Sequence, residues 1–141
     1  MTAKDIMTRN VSTISPETTL HEAAEIMKNR NIGMLPVAEN SRIVGILTDR
    51  DIVVRAISRG KDPDSYPVKN AMSKKIDKCF EDQDLEEVAQ EMEKLQIRRI
   101  PVFDHADRLV GVISLGDFVL RYNEQKASEV LHEVSKPGPS S

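Results

Sequence analysis

Gly45-Ile46-Leu47-Thr48-Asp49-Arg50-Asp51 and Gly111-Val112-Ile113-Ser114-Leu115-Gly116-Asp117 are one pattern written twice, 66 residues apart. Each has a glycine, two aliphatic residues, a hydroxyl residue, and an aspartate three positions after the hydroxyl. Moving toward the N-terminus, the match continues at an offset of 65. Leu35-Pro36-Val37 falls on Ile100-Pro101-Val102, and Leu20, Ala23, Ala24 and Met27 fall on Leu85, Val88, Ala89 and Met92. Lys4-Asp5-Ile6-Met7-Thr8 falls on Lys69-Asn70-Ala71-Met72-Ser73. A tandem repeat of this kind predicts two copies of one unit that bury a shared face about a pseudo-two-fold axis. A pocket at such an axis comes as a pair.

Each repeat is about sixty residues, a size that is marginal alone, so the 141 residues read as one intramolecular pair with a shared core. Aromatic residues make up 4% of the chain, too few for stacking platforms for single-stranded nucleic acid. The net charge of −3 argues against a duplex-binding surface. Residues 1–67 carry 9 basic and 9 acidic side chains, and residues 68–141 carry 11 and 14, an asymmetry too small to define a partner. The single cysteine, Cys79, excludes an internal disulfide and a cysteine-based zinc cage. There is no basic-then-apolar leader and no long apolar run, so the expected compartment is the cytoplasm.

Local signals order the elements. Asp5-Ile6-Met7-Thr8 opens the first repeat and Val11–Ile14 reads as a short strand ended by Pro16. Thr19 and Glu22 form a capping box, and Leu20, Ala23, Ala24 and Met27 line one helical face that ends at Asn31 and Gly33. Met34–Val37 and Ile43–Leu47 are β-prone runs around the turn Glu39-Asn40-Ser41-Arg42, and a second helix runs from Thr48 to a C-cap at Gly60. The second repeat predicts a helix capped by Asp84, with Glu87 three residues on, strands at Arg99–Phe103 and Leu109–Ile113, and a helix from Ser114 to Tyr122. The expected organisation is repeat one at 3–60, a linker at 61–67, repeat two at 68–122, a helical extension at 123–135 and a disordered tail at 136–141.

The order strand–helix–strand–strand–helix, twice, with Gly-aliphatic-aliphatic-Thr/Ser-x-x-Asp after the last strand and matching Pro-Val strands, closely resembles the CBS domain pair, or Bateman module. The resemblance covers roughly residues 3–122. It implies an α/β fold of two pseudo-symmetric repeats (β-α-β-β-α each) packed through their sheets. It also implies a non-catalytic regulatory module that binds an adenosine-containing ligand, AMP, ADP or ATP, with NAD and S-adenosylmethionine in the same class. A disc-shaped homodimer and a regulated partner protein are further implications. No catalytic cofactor, nucleic acid or membrane is expected.

The motif has physical sense without the family. Thr48 and Ser114 stand where a strand becomes a helix, and free amides and the helix dipole there favour phosphate. Asp51 or Asp117, one turn in, can accept hydrogen bonds from a ribose diol. Gly45 and Gly111 leave room near the strand for a ligand. The same Thr/Ser-x-x-Asp pattern is also a capping box that needs no ligand.

Carried over residue by residue, the resemblance implies two unequal sites. The Asp117 site has Thr13, Ile14, Gly33 and Met34 around the base, Val112 and Ser114 beside the ribose, and Arg98 and Arg99 toward the phosphates. Arginine suits phosphate because its planar fork makes two charge-assisted bonds. The Asp51 site draws on Lys78, Ile97, Ile46, Thr48 and Arg50. There Lys78 and Cys79 replace Thr13 and Ile14, and uncharged Gly33 and Met34 stand at the phosphate positions. The Asp117 site is therefore expected to be the tighter. Other uses of these residues are open: Arg98 and Arg99 as a solvated strand end or as partners of Asp104 or Asp107, and Met34 as core. Met7 and Met72 read as gap fillers.

Catalysis finds no support. His21, His105 and His132 have no nucleophile or carboxylate at motif spacing, and no cluster has metal-ligand spacing. Two classes of function remain: an adenine-nucleotide sensor, and a ligand-independent dimerisation or docking module for a partner protein.

Overall fold

The computed structural model describes residues 1–122 and 124–137, so the expected disordered tail falls largely outside the described residues. In chain order the elements are α1 (Ala3–Ile6), α2 (Leu20–Arg30), β1 (Met34–Glu39), β2 (Arg42–Thr48), α3 (Asp49–Arg55), β3 (Cys79–Phe80), α4 (Leu85–Leu95), β4 (Arg99–Phe103), β5 (Leu109–Ser114), α5 (Leu115–Arg121) and α6 (Glu124–Val134). They fall into two compact units. One comprises Met1–Val11 and the chain from Asp77 onward; the other is Ser12–Ile76. No helix among the described residues is long and apolar enough to cross a membrane.

In the Ser12–Ile76 unit, Thr19 accepts from the Glu22 amide at 3.2 Å, and the Thr19 amide donates to Glu22 Oε1 at 3.2 Å, the capping box expected for α2. Asn31 ends α2 in the left-handed region at φ 54°. β1 and β2 form an antiparallel hairpin. Its tip residues Asn40 and Ser41 both have positive φ, 52° and 64°, as a type I′ turn requires. Leu20, Ala23, Leu35, Val37, Leu47, Ala56, Val68 and Ala71 are fully buried in its core.

Two expectations fail here. Val11–Ile14 is not a strand: only Ile14 pairs, by a single parallel bridge to Val37. The preceding Asn10 has φ 44° and Pro16 follows, so the extended run is cut at both ends. The helix after Thr48 stops at Arg55, and Ile57–Arg59 continues as a separate 3-10 turn closed by Gly60 at φ 71°.

In the other unit β3, β4 and β5 form one sheet, with β3 parallel to β4 and β4 antiparallel to β5. Asp84 caps α4 through the Glu86 amide at 3.2 Å rather than in a box with Glu87. Cys79 opens β3 and is fully buried. Burial, with the Glu91 carboxylate adding to it, pushes its thiol up to about 12, so it packs as a neutral small hydrophobe. α6 packs on α4 and α5, placing Val130 and Val134 in a core with Phe118, Leu85, Val88 and Met92.

The lead segment of each repeat is held by a strand of its unit. Thr8 exchanges both backbone bonds with Val112, at 2.9 and 3.0 Å, and Ser73 does the same with Ile46 at 2.9 Å. Arg121 Nη1 donates to the carbonyls of Ile6 and Met7 at 3.2 and 3.3 Å. Arg55 Nη1 donates to those of Ala71 and Met72 at 3.3 and 3.2 Å.

The glycines of the repeated pattern serve this docking, which corrects their reading as space for a ligand. A Cβ on Gly111 would lie 2.7 Å from Met7 Sδ and 2.9 Å from the Thr8 carbonyl oxygen. On Gly45 it would lie 2.5 Å from Met72 Sδ and 2.9 Å from the Ser73 oxygen. Gly111→Ala is therefore expected to destabilise the protein by about 1–3 kcal/mol, because buried Met7 and a backbone oxygen must both yield. Gly116→Ala, whose new Cβ meets nothing closer than 3.5 Å in the first turn of α5, is expected to add about 0.5–1 kcal/mol. Urea midpoints of the two variants check the opposite signs.

Candidate functional site

The richer corner lies where β5 turns into α5. Alternation along β5 sends Gly111 and Ile113 inward and leaves Val112 and Ser114 on the less buried face. Ser114 is the N-cap of α5. Its hydroxyl accepts from the Asp117 amide at 3.3 Å, while its own amide and hydroxyl donate to Asp117 Oδ2 at 2.8 and 3.2 Å. The capping-box alternative is thus realised in full. Thr8 Oγ1 adds a donor to Asp117 Oδ1 at 3.3 Å. Asp117 is only 7% exposed.

Strand register brings the two arginines to this corner. Arg99 pairs with Ser114 across the β4–β5 ladder, and the Leu115 amide donates to the Arg98 carbonyl at 3.2 Å. Arg98 is exposed and Arg99 half-buried. The two carboxylates that were open as partners are taken by others. Asp104 pairs with Arg108 Nε at 2.8 Å, and Asp107 with Lys78 Nζ at 2.6 Å. Among the described residues neither Arg98 nor Arg99 has a side-chain hydrogen bond or ion pair. The structure thus assembles Arg98, Arg99, Val112, Ser114 and Asp117 at one corner.

The other unit repeats the corner with different chemistry. Thr48 caps α3, accepting from the Asp51 amide at 3.1 Å and donating its amide to Asp51 Oδ2 at 2.9 Å. Met34 pairs with Thr48, and the Asp49 amide donates to the Gly33 carbonyl at 3.0 Å. Gly33 and Met34 therefore hold the backbone positions of Arg98 and Arg99 and bring no charge. Ile46 pairs with Pro36 and Ser73. Arg50 is exposed on the first turn of α3, and Arg55 Nε stands 3.8 Å from Asp51 Oδ1.

The residues expected around a base divide in the same way. In the Ser12–Ile76 unit Ile14 belongs to the apolar core, Met34 is buried and Thr13 is exposed. In the other unit Ile97 leans on the core. Lys78, besides its pair with Asp107, lies over the Phe103 ring at 4.8 Å.

Three features were missed from sequence. Thr8 on Asp117 has a signal only in the repeat, as the partner of Ser73. Arg55 and Arg121 lie 66 residues apart and could have been found by the same alignment. His105 finds a carboxylate through the fold: its Nε2 lies 2.8 Å from Asp82 Oδ2 and its ring stacks on Phe80 at 5.1 Å. The Asp82 hydrogen bond raises the His105 pKa, and the same bond lowers that of Asp82.

A helix–hairpin–helix unit occurring twice, with each final helix capped by a hydroxyl and an aspartate, defines a tandem α/β repeat protein. The CBS domain family profile matches residues 3–57 and 68–124, and the chain belongs to that family. It is 39% identical over 133 residues to the CBS domain-containing protein YhcV of Bacillus subtilis, covering 94% of each chain. Among solved structures it resembles the CBS domain pair of protein MJ0100 in complex with 5′-methylthioadenosine and S-adenosyl-L-methionine. That match has 28% identity and a TM-score of 0.75, covering 84% of this chain and 92% of the other. It also resembles CBSX2 in complex with AMP, with 25% identity and a TM-score of 0.72, covering 84% and 93%.

Proposed function

We propose that this protein is a non-catalytic regulatory module that binds an adenosine-containing ligand of the AMP, ADP or ATP type and acts as an energy or metabolite sensor in the cytoplasm. The observation that carries this reading is the pair Arg98 and Arg99, whose backbones register holds beside Leu115 and Ser114 and whose guanidiniums have no partner among the described residues. Two adjacent cations without carboxylate partners suit an anionic group, and an aspartate beside them suits the hydroxyls of a sugar. The ligands held by MJ0100 and CBSX2 fall in the same chemical class. Gly33 and Met34 lack charge, so the corner at Asp51 is the weaker of the two. Thr13, Ile14, Gly33 and Met34 keep their assignment to a base, and Lys78, Ile97, Ile46, Thr48 and Arg50 theirs to the weaker site.

Homodimerisation belongs to the proposal. Val119 and Leu120 on α5, Val53 and Val54 on α3, and Ile57 in the 3-10 turn that follows α3 are apolar side chains left in solvent.

The test is thermal unfolding against AMP, ADP, ATP, NAD and S-adenosylmethionine. A ligand at ~100 times its dissociation constant adds ~2.7 kcal/mol, a rise of several degrees. A selective rise supports the sensor and names its ligand. The alternative, a ligand-independent docking module, is favoured by one observation: at both corners the hydroxyl, the amides and the carboxylate satisfy one another as a capping box. No rise with any member, together with a stable dimer in sedimentation, would establish that alternative.

A further inference from the structure

Asp117 and Asp51 occupy the same place in the repeat, yet their carboxylates are bonded differently. A carboxylate offers about four acceptor positions, two on each oxygen. On Asp117, Oδ2 receives both the amide and the hydroxyl of Ser114, at 2.8 and 3.2 Å, and so is filled. Oδ1 receives the Thr8 hydroxyl at 3.3 Å, which leaves one position open. On Asp51, Oδ2 receives the Thr48 amide, and Oδ1 faces Arg55 Nε at 3.8 Å with no hydroxyl on it. Ser73 stands where Thr8 stands, with the same backbone pairing, but its hydroxyl donates to the Lys75 carbonyl at 3.4 Å.

We propose that Thr8 is a specificity-determining positioning residue: its hydroxyl occupies one of the two remaining acceptor positions on Asp117 and competes with the second hydroxyl of a vicinal diol. This rests on the reading that Asp117 accepts from the ribose of a nucleotide. One sugar hydroxyl finds the open position on Oδ1. The second is met only when the Thr8 hydroxyl turns away, which it can do because Thr8 is exposed and water can accept its hydrogen bond. Thr8 thereby narrows the preference of the corner for a ribose over a deoxyribose. The residue is well placed for this role. Its backbone is fixed by both bonds to Val112, by the Arg121 grip on Ile6 and Met7, and by Met7 seated against Gly111. The hydroxyl is the part left free to move.

The test is calorimetric titration of the full chain with AMP and with 2′-deoxy-AMP, read on the tighter phase, in wild type, Thr8→Val and Thr8→Ser. Valine keeps the β-branched shape and removes only the donor; serine keeps the donor. Thr8→Val is expected to tighten AMP by about fivefold while leaving 2′-deoxy-AMP unchanged, and Thr8→Ser to behave as wild type. A purely structural role would weaken both ligands together. That outcome, an unchanged ratio, or a selective loss of AMP in Thr8→Val would each overturn the proposal. Wild-type protein that binds neither nucleotide would overturn the ribose reading itself, and this inference with it. The wild-type titration thus judges the first and the variant ratio the second.

Discussion

Asp117→Ala is expected to weaken AMP binding by about tenfold to a hundredfold, whereas Asp51→Ala leaves the tighter phase nearly unchanged. The magnitude follows from losing a charge-assisted bond to a ribose hydroxyl, worth about 1.5–3 kcal/mol. The paired design separates ligand binding from folding. Each substitution removes a carboxylate that accepts an N-cap amide, from Ser114 at 2.8 Å or from Thr48 at 2.9 Å. Each therefore carries a stability cost of about 0.5–2 kcal/mol. The cost is larger at Asp117, whose carboxylate accepts three hydrogen bonds against one at Asp51, so unfolding of each variant is measured beside its affinity. Only the Asp117 corner has two unpartnered arginines beside it, so only there should affinity fall steeply. Equal losses of affinity in the two variants would remove the ranking of the sites.

Phe118→Ala is expected to cost about 3–5 kcal/mol, the range for deleting a buried phenyl ring from a core that cannot collapse. Phe118 is 0% exposed and meets Tyr122 edge-on at 5.9 Å. It shares its cluster with Val130 and Val134 of α6. The same position in the first repeat, 66 residues earlier, is Ile52, which is only partly buried. Ile52→Ala should thus cost distinctly less. Urea denaturation of both variants measures the difference, and similar losses would show that α6 contributes little to the burial of Phe118.

These two residues also mark what could be read from the chain. Asp117 was visible because a repeated Thr/Ser-x-x-Asp in register is a local pattern, and capping is local chemistry. The full burial of Phe118 was not visible. It depends on α6, whose apolar residues Val130, Leu131 and Val134 are too sparse to declare a docking face by periodicity. Leu131 indeed stays 45% exposed while its two neighbours are buried. Val11–Ile14 shows the reverse failure. Its composition suits a strand, but a strand needs a partner along its length, and only Ile14 finds one.

The amino-acid sequence alone determined the repeat, the helices α2 and α4 with their capped starts, both hairpins, and the corners at Thr48 and Ser114. All of these rest on interactions within a few residues, whose spacing is written directly in the chain. Tertiary structure alone decided how Gly45 and Gly111 are used, because the methionines that fill their missing Cβ positions lie far away in sequence. It decided that Arg55 and Arg121 hold the lead segments through backbone carbonyls, which carry no residue-specific signal. It also decided which carboxylates neutralise which cations. Asp104 and Asp107 were equally available to Arg98 and Arg99 by composition. Packing gave them to Arg108 and Lys78, and that choice leaves Arg98 and Arg99, whose backbones adjoin Leu115 and Ser114, without a carboxylate partner among the described residues.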